Sequence, residues 1–212
     1  MFFQDLKKHY VEGLLETNAF LVKSINETPF TLRSGRNSYI FLDHSKVASS
    51  PKAYKAFVDV INALLLKVYG DNNFLLCNVD SKISAQMVGS SAYSLEKPQI
   101  VFKSAQLTAI EKGTQRQLTG NLDWNMPVAI LDDVMTGGDG TAKNVGDLIL
   151  TTFSKIRDIQ IFVGFVRELK ESTYKTHYAL TRDELLDIIW EKLSPEQKQA
   201  IEKEKITWAK IP

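Results

Sequence analysis

The sequence predicts an α/β fold with a mostly parallel central sheet and flanking helices. Three observations point there. Short apolar runs of strand length ("FLLCNV", "QIVFK", "VAILDD" and "IQIFVGFV") recur through the second half of the chain. Segments of helical period lie between them, giving strand, helix, strand, loop, strand, helix, strand. The runs are nearly continuous in apolar residues, as strands covered on both faces are.

Taken in order, Leu6, Tyr10 and Leu14 share one helical face, so a first amphipathic helix is expected over about residues 4–16. "PFTLRSGRNSYIFLDHS" then mixes aromatic and β-branched residues with polar ones around Ser34-Gly35, which reads as a hairpin. Ser50 at an N-cap and Pro51 in the first turn open a long apolar-striped helix, "KAYKAFVDVINALLLKVY". The strand "FLLCNV" follows, then the helical "SKISAQMVGSSAYSL" with Ser81 as cap. "QIVFK" and "VAILDD" are strands separated by a polar loop over residues 104–125, long enough for a functional role. From Thr141, the residues Val145, Leu148, Ile149 and Phe153 mark a helix face, followed by the buried strand "IQIFVGFV". Two C-terminal helices are expected, because Thr181 with Glu184 and Ser194 with Gln197 fit capping boxes. One domain is expected over 1–212, with a helix and hairpin hood over about 1–50 and a core over about 51–212.

With 212 residues, the chain is long enough to bury a sizeable core. Apolar residues make up 44% and charged residues 24%, the balance of a soluble globular protein. A net charge of +1 supplies no long-range field for nucleic acid or an anionic membrane. No run approaches the ~20 apolar residues of a membrane span, and "MFFQDLKKHY" is too short in apolar residues for a signal peptide, so a cytoplasmic protein is expected. Cys77 is the single cysteine, which excludes an intramolecular disulfide and a thiolate cluster; within "FLLCNV" it reads as a buried small hydrophobe. His9, His44 and His177 lack helical metal-ligand spacing, and no metal site built from protein ligands is expected.

The stretch "PVAILDDVMTGGDGTAKNVGDLIL", residues 127–150, carries the chemistry. An apolar strand ends in Asp132 and Asp133, then a turn with Thr136, Gly137, Gly138, Asp139, Gly140 and Thr141 leads into a helix. Unpaired backbone N–H groups at such a turn, with the helix dipole behind them, suit an anion. The two carboxylates can accept hydrogen bonds from vicinal hydroxyls, as on a ribose whose 5′-phosphate sits in the turn. The spacing is neither a Walker loop nor a dinucleotide fingerprint. Two other uses remain open: Asp132 or Asp139 as a simple cap on a turn of left-handed glycines, and a carboxylate pair for Mg²⁺.

"AILDDVMTGGDGT" resembles the phosphoribosyl-diphosphate (PRPP) loop of type I phosphoribosyltransferases, and "FTLRSGRNSYIFLD" resembles the N-terminal hairpin of orotate phosphoribosyltransferases. The order of elements matches that family from about residue 10 to 205, including the closing "LTRDELLDII". The resemblance implies the type I phosphoribosyltransferase fold with an N-terminal hairpin hood. It also implies PRPP and orotate as ligands, Mg²⁺ bound mainly through PRPP, and a homodimer. Carried over residue by residue, it assigns the ribose hydroxyls to Asp132 and Asp133, and the phosphate cradle to Thr136, Gly137, Gly138, Asp139, Gly140 and Thr141. Lys82 and Lys103 would face the diphosphate, with Lys103 catalytic alongside the two aspartates. Arg33, Phe41 and Arg167 would hold the base, Arg167 through the orotate carboxylate, as a guanidinium fork suits a carboxylate. The family's aromatic pair falls on Ile40 and Phe41, or on Tyr39 and Ile40 with a one-residue slip.

The chain departs from the family in two places. The lysine loop reads Asp80-Ser81-Lys82-Ile83, without the family's glycine and with a carboxylate facing a polyanion. In the loop after "QIVFK", Phe102 replaces an arginine, Lys103 matches, and the next lysine and histidine fall on Gln106 and Thr108. Lys112 and Arg116 lie further along. The implied reaction is phosphoribosyl transfer from PRPP to orotate. The alternatives are a catalytically silent PRPP- or nucleotide-binding relative and a transferase for another base.

Overall fold

The computed structural model describes residues 2–32, 35–103, 118–120, 125–136, 140–153 and 155–208. The hood is built from α1 (Phe3–Glu16), β1 (Phe20–Val22), β2 (Phe30–Thr31), β3 (Asn37–Ser38), β4 (Ile40–Leu42) and a 3-10 turn over His44–Ser49. The core continues with α2 (Pro51–Tyr69), β5 (Leu75–Asn78), α3 (Lys82–Leu95), β6 (Gln99–Phe102), β7 (Leu118–Thr119) and β8 (Val128–Met135). It closes with α4 (Gly140–Thr152), β9 (Ile159–Val166), β10 (Lys175–Thr181), α5 (Arg182–Ile189) and α6 (Pro195–Trp208). Six strands form one sheet in the order β10-β9-β8-β5-β6-β7. Every pairing is parallel except β6 with β7.

The helix starts follow the sequence signals. The Ser50 hydroxyl accepts from the Ala53 amide ahead of Pro51, and the Ser81 hydroxyl accepts from the Ser84 amide. Thr181 and Glu184 satisfy each other's backbone N–H groups, as do Ser194 and Gln197. Each cap answers amides that would otherwise be orphaned at a helix end.

The strands divide the core by their pleat. Val128 and Ile130 of β8 join Leu75, Cys77 and Ile161 beneath Val145 and Ile149 of α4. Ala129 and Leu131 turn the other way, towards Phe57, Ile61 and Leu65 of α2 and Tyr10 and Leu14 of α1. Cys77 is fully buried, and burial pushes its thiol up, so it packs as a hydrophobe. No helix among the described residues is long and apolar enough to cross a membrane.

Two expectations change. The hairpin exists, pairing Phe30 with Ser38 and Thr31 with Asn37, but it ends at Ser38. β4 then leaves it to pair with β1, Phe20 opposite Leu42. The C-terminal part also contains β10, which runs parallel to β9 at the sheet edge before α5. Three-residue strands carry too few residues to show a period, and "KTHYALT" mixes polar residues as an edge strand does.

Candidate functional site

The chain reverses its direction of travel across the sheet between β5 and β8: β5 leads out to β6, whereas β8 leads to β9 and β10. Loops leaving the C-terminal ends of β5 and β8 therefore diverge, and a crevice opens where ligands bind in open α/β sheets. A cavity of about 400 Å³ fills that crevice. Its walls come from the end of β5 (Val79, Asp80, Ser81), the end of β8 (Asp132 to Thr136) and the start of α4 (Gly140, Thr141). The hood adds Leu32, Phe41, Leu42, Asp43 and His44, and β9 contributes Arg167.

Polar side chains lock these ends together. Ser84, in the first turn of α3, accepts from the Val79 amide (2.9 Å) and donates to the Leu131 carbonyl (2.6 Å), joining β5, α3 and β8. Asn78 donates to the Phe102 carbonyl (3.0 Å) and accepts from its amide (2.8 Å), fixing where β6 ends. Ser81, the cap of α3, also donates to Oδ1 of Asp133 (3.1 Å). The Arg167 amide donates to the Met135 carbonyl at 2.9 Å, holding the end of β9 to the end of β8.

Electrostatics distinguish the two aspartates. Burial, reinforced by the neighbouring Asp133 charge, raises Asp132 well above the ordinary carboxylate range. The shift makes Asp132 the more readily protonated of the pair. Asp133 accepts from Ser81 and lies 3.7 Å from Nδ1 of His44. Gly140 has φ of 46°, a left-handed conformation that a side chain would strain, and it starts α4. Asp43, Asp80, Asp132 and Asp133 face the cavity, while Arg167 is the one cationic side chain lining it among the described residues.

Of the residues singled out from sequence, Asp132, Asp133, Thr136, Gly140, Thr141, Phe41 and Arg167 line this one cavity. Phe41 lies against Phe30, ring centres 5.2 Å apart, and lines the cavity, while Ile40 is buried and Tyr39 lies outside the lining. Arg167 lines the cavity and is also tied to the hood. It is 5% exposed, and Nη1 donates to the Ser38 hydroxyl (3.0 Å) and the Ile40 carbonyl (3.1 Å). Glu204 of α6, also buried, accepts from the Ser38 hydroxyl and the Tyr39 amide (2.6 Å) and sets a negative charge near Arg167. Lys82, first residue of α3, and Lys103, after β6, are exposed and do not line the cavity. Arg33, Gly137, Gly138, Asp139, Gln106, Thr108, Lys112 and Arg116 lie outside the described residues.

Sequence reasoning missed His44, the Ser81–Asp133 hydrogen bond and Glu204. Ser81 carried a cap signal only. His44 and Glu204 meet their partners across 89 and 166 positions of chain, the separations from Asp133 and Ser38, which no local pattern encodes.

No family model matches the chain. It is 28% identical over 170 residues to the orotate phosphoribosyltransferase of Methanococcus maripaludis, covering 76% of this chain and 85% of that one. Among solved structures, it is similar to orotate phosphoribosyltransferase from Francisella tularensis, with a TM-score of 0.66 at 15% identity, over 93% of this chain and 98% of that one. Leishmania donovani UMP synthase superposes with a TM-score of 0.71 at 15% identity; 94% of this chain matches 42% of that longer one. The chain is thus similar in sequence to curated orotate phosphoribosyltransferases and shares the fold of the solved phosphoribosyltransferases.

Proposed function

We propose that this protein transfers the phosphoribosyl group of PRPP to orotate, giving orotidine 5′-phosphate and diphosphate. The observation that carries the reading is the Asp132-Asp133 pair in the switch-point cavity that the α4 N-terminus also lines, in a chain similar to orotate phosphoribosyltransferases. The carboxylates suit ribose hydroxyls. Thr136, Gly140 and Thr141, with 137–139 between them, suit the 5′-phosphate. Phe41 offers a flat apolar face to a pyrimidine.

Bond breaking between ribose C1 and the diphosphate oxygen leaves charge on both fragments, so the reaction depends on positioning and electrostatic stabilisation. Asp133 orients the ribose, while Asp132, whose pKa is raised, would exchange a proton with a ligand hydroxyl. Four carboxylates around the cavity oppose a polyanion, which makes added positive charge necessary. Lys82 and Lys103, at the ends of the flanking elements, are within the same edge of the sheet. Mg²⁺ bound through PRPP, with Asp80, Asp132 and Asp133 beside it, would offset the diphosphate charge. A homodimer whose loops complete each other's sites belongs to the same proposal.

A second reading is favoured by one observation: Arg167 is already engaged by Ser38, Ile40 and the Glu204 charge. That suits a PRPP- or nucleotide-binding relative without orotate turnover, or a base lacking a carboxylate. Magnesium-dependent consumption of orotate with PRPP, measured beside calorimetric PRPP binding, separates them. Turnover lost in Lys103→Ala supports the transferase. PRPP binding without orotate turnover overturns it in favour of the second reading.

A further inference from the structure

His44 opens the turn after β4, and its side chain is wholly enclosed. Phe57 of α2 stacks on the imidazole with ring centres 4.8 Å apart, and Tyr10 of α1 packs against both rings. Phe57 reaches this position because residue 164 of β9 is glycine. A Cβ there would stand 2.6 Å from Cε2 of Phe57 and 2.9 Å from the Asp133 carbonyl oxygen. Helices α1 and α2 and strand β9 thus fix one imidazole beneath the cavity.

The ring's two nitrogens meet different partners. Nε2 is hydrogen-bonded to the Tyr10 hydroxyl. Nδ1 is buried without a hydrogen-bond partner among the described residues and lies 3.7 Å from Oδ2 of Asp133. Burial pushes the ring pKa down to about 4 against the opposing charges of Asp133 and Asp43, so it is neutral near pH 7 and carries one N–H. Burial, helped by Asp133, raises the Tyr10 phenol, which keeps its proton and donates it to Nε2. The imidazole proton is then on Nδ1, facing the carboxylate; the other tautomer would point a lone pair at a negative charge.

We propose that His44 is a positioning residue for Asp133, its Nδ1–H holding one carboxylate oxygen while Ser81 holds the other. The proposal rests on the phosphoribosyl reading of the cavity. An ionised carboxylate has about four acceptor sites. Ser81 and His44 take one on each oxygen, and two remain for ligand hydroxyls. At 3.7 Å the His44 contact is longer than a hydrogen bond, and a small turn of the carboxylate closes it as the ligand engages the remaining sites.

The test compares wild type, His44→Phe, His44→Asn and Tyr10→Phe by calorimetry with PRPP and Mg²⁺, with melting temperatures measured alongside. ¹⁵N NMR of the wild-type histidines reads the tautomer. His44→Phe keeps a stacked ring and loses the donor, so PRPP binding is expected to weaken roughly tenfold or more in folded protein. His44→Asn, whose amide can donate from near the Nδ1 position, is expected to recover part of that loss, and NMR to find the proton on Nδ1. If His44→Phe does not fold, Tyr10→Phe carries the test: it keeps every ring, removes the hydroxyl that sets the tautomer, and is expected to weaken PRPP binding. Unchanged PRPP affinity in folded His44→Phe, or a proton on Nε2, overturns the positioning role alone. Failure of the wild-type protein to bind PRPP overturns the phosphoribosyl reading and this role with it.

Discussion

Gly164 and Asp132 show how single residues set the terms of the cavity. The missing side chain at 164 lets Phe57 pass beneath Asp133, and an added methyl would collide with a ring and a backbone oxygen together. Gly164→Ala is expected to lower stability by about 1–3 kcal/mol, read as a lower midpoint in urea with an unchanged slope. Asp132 gives a pH test. Its folded pKa is raised, so the unfolded chain ionises it first, and the penalty grows as pH rises above the ordinary carboxylate value near ~4. Ligand-free Asp132→Asn is therefore expected to melt above wild type at about pH 8, with the gap closing towards about pH 4. Equal melting curves across that range would contradict the raised pKa. At this scale the sequence was legible where chemistry is local. Asp132, Asp133, Thr136 and Gly140 stand in one stretch, and the topology needed only to open a crevice before it. His44 was not legible, because its meaning comes from Tyr10 on one side and Asp133 on the other.

The elements were legible where their ends carry chemistry. Ser50, Ser81, Thr181 and Ser194 each announce a helix start, and each is found capping one. Thr181→Ala should cost about 1 kcal/mol in thermal or urea unfolding, because it removes one half of the capping box at the start of α5. Strands β1, β4 and β10 were harder to read: two are three residues long, and the third lies at an edge of the sheet. The docking of α6 was also hidden. Within the alternating charge run "EKEK", Glu204 is 4% exposed and accepts from Ser38 and the Tyr39 amide beneath the hood. Glu204→Ala leaves a buried N–H and a buried guanidinium less well compensated, so a loss of about 1–3 kcal/mol is expected in urea unfolding. No loss would mean that the hood is held without α6.

Across the whole molecule, the sheet reverses direction between β5 and β8, and that topology gathers residues from four distant parts of the chain around one cavity. Fold class followed from the alternation of apolar runs and helical periods, since those patterns are properties of each segment alone. The charge around the cavity is a property of the assembled fold. Four aspartates face it with Arg167 as the lone cation among the described lining residues, and Glu204 lies near that arginine. The proposed ligand is a polyanion, so the central claim is that Asp133 takes the ribose hydroxyls while cations arriving with or after the ligand offset this field. Calorimetric titration of the wild-type protein and Asp133→Asn with PRPP, in the presence of Mg²⁺, tests it most directly. The expected result is saturable one-site binding by wild type that weakens roughly tenfold or more in Asp133→Asn. No binding by wild type, or equal affinity in the two proteins, would contradict it.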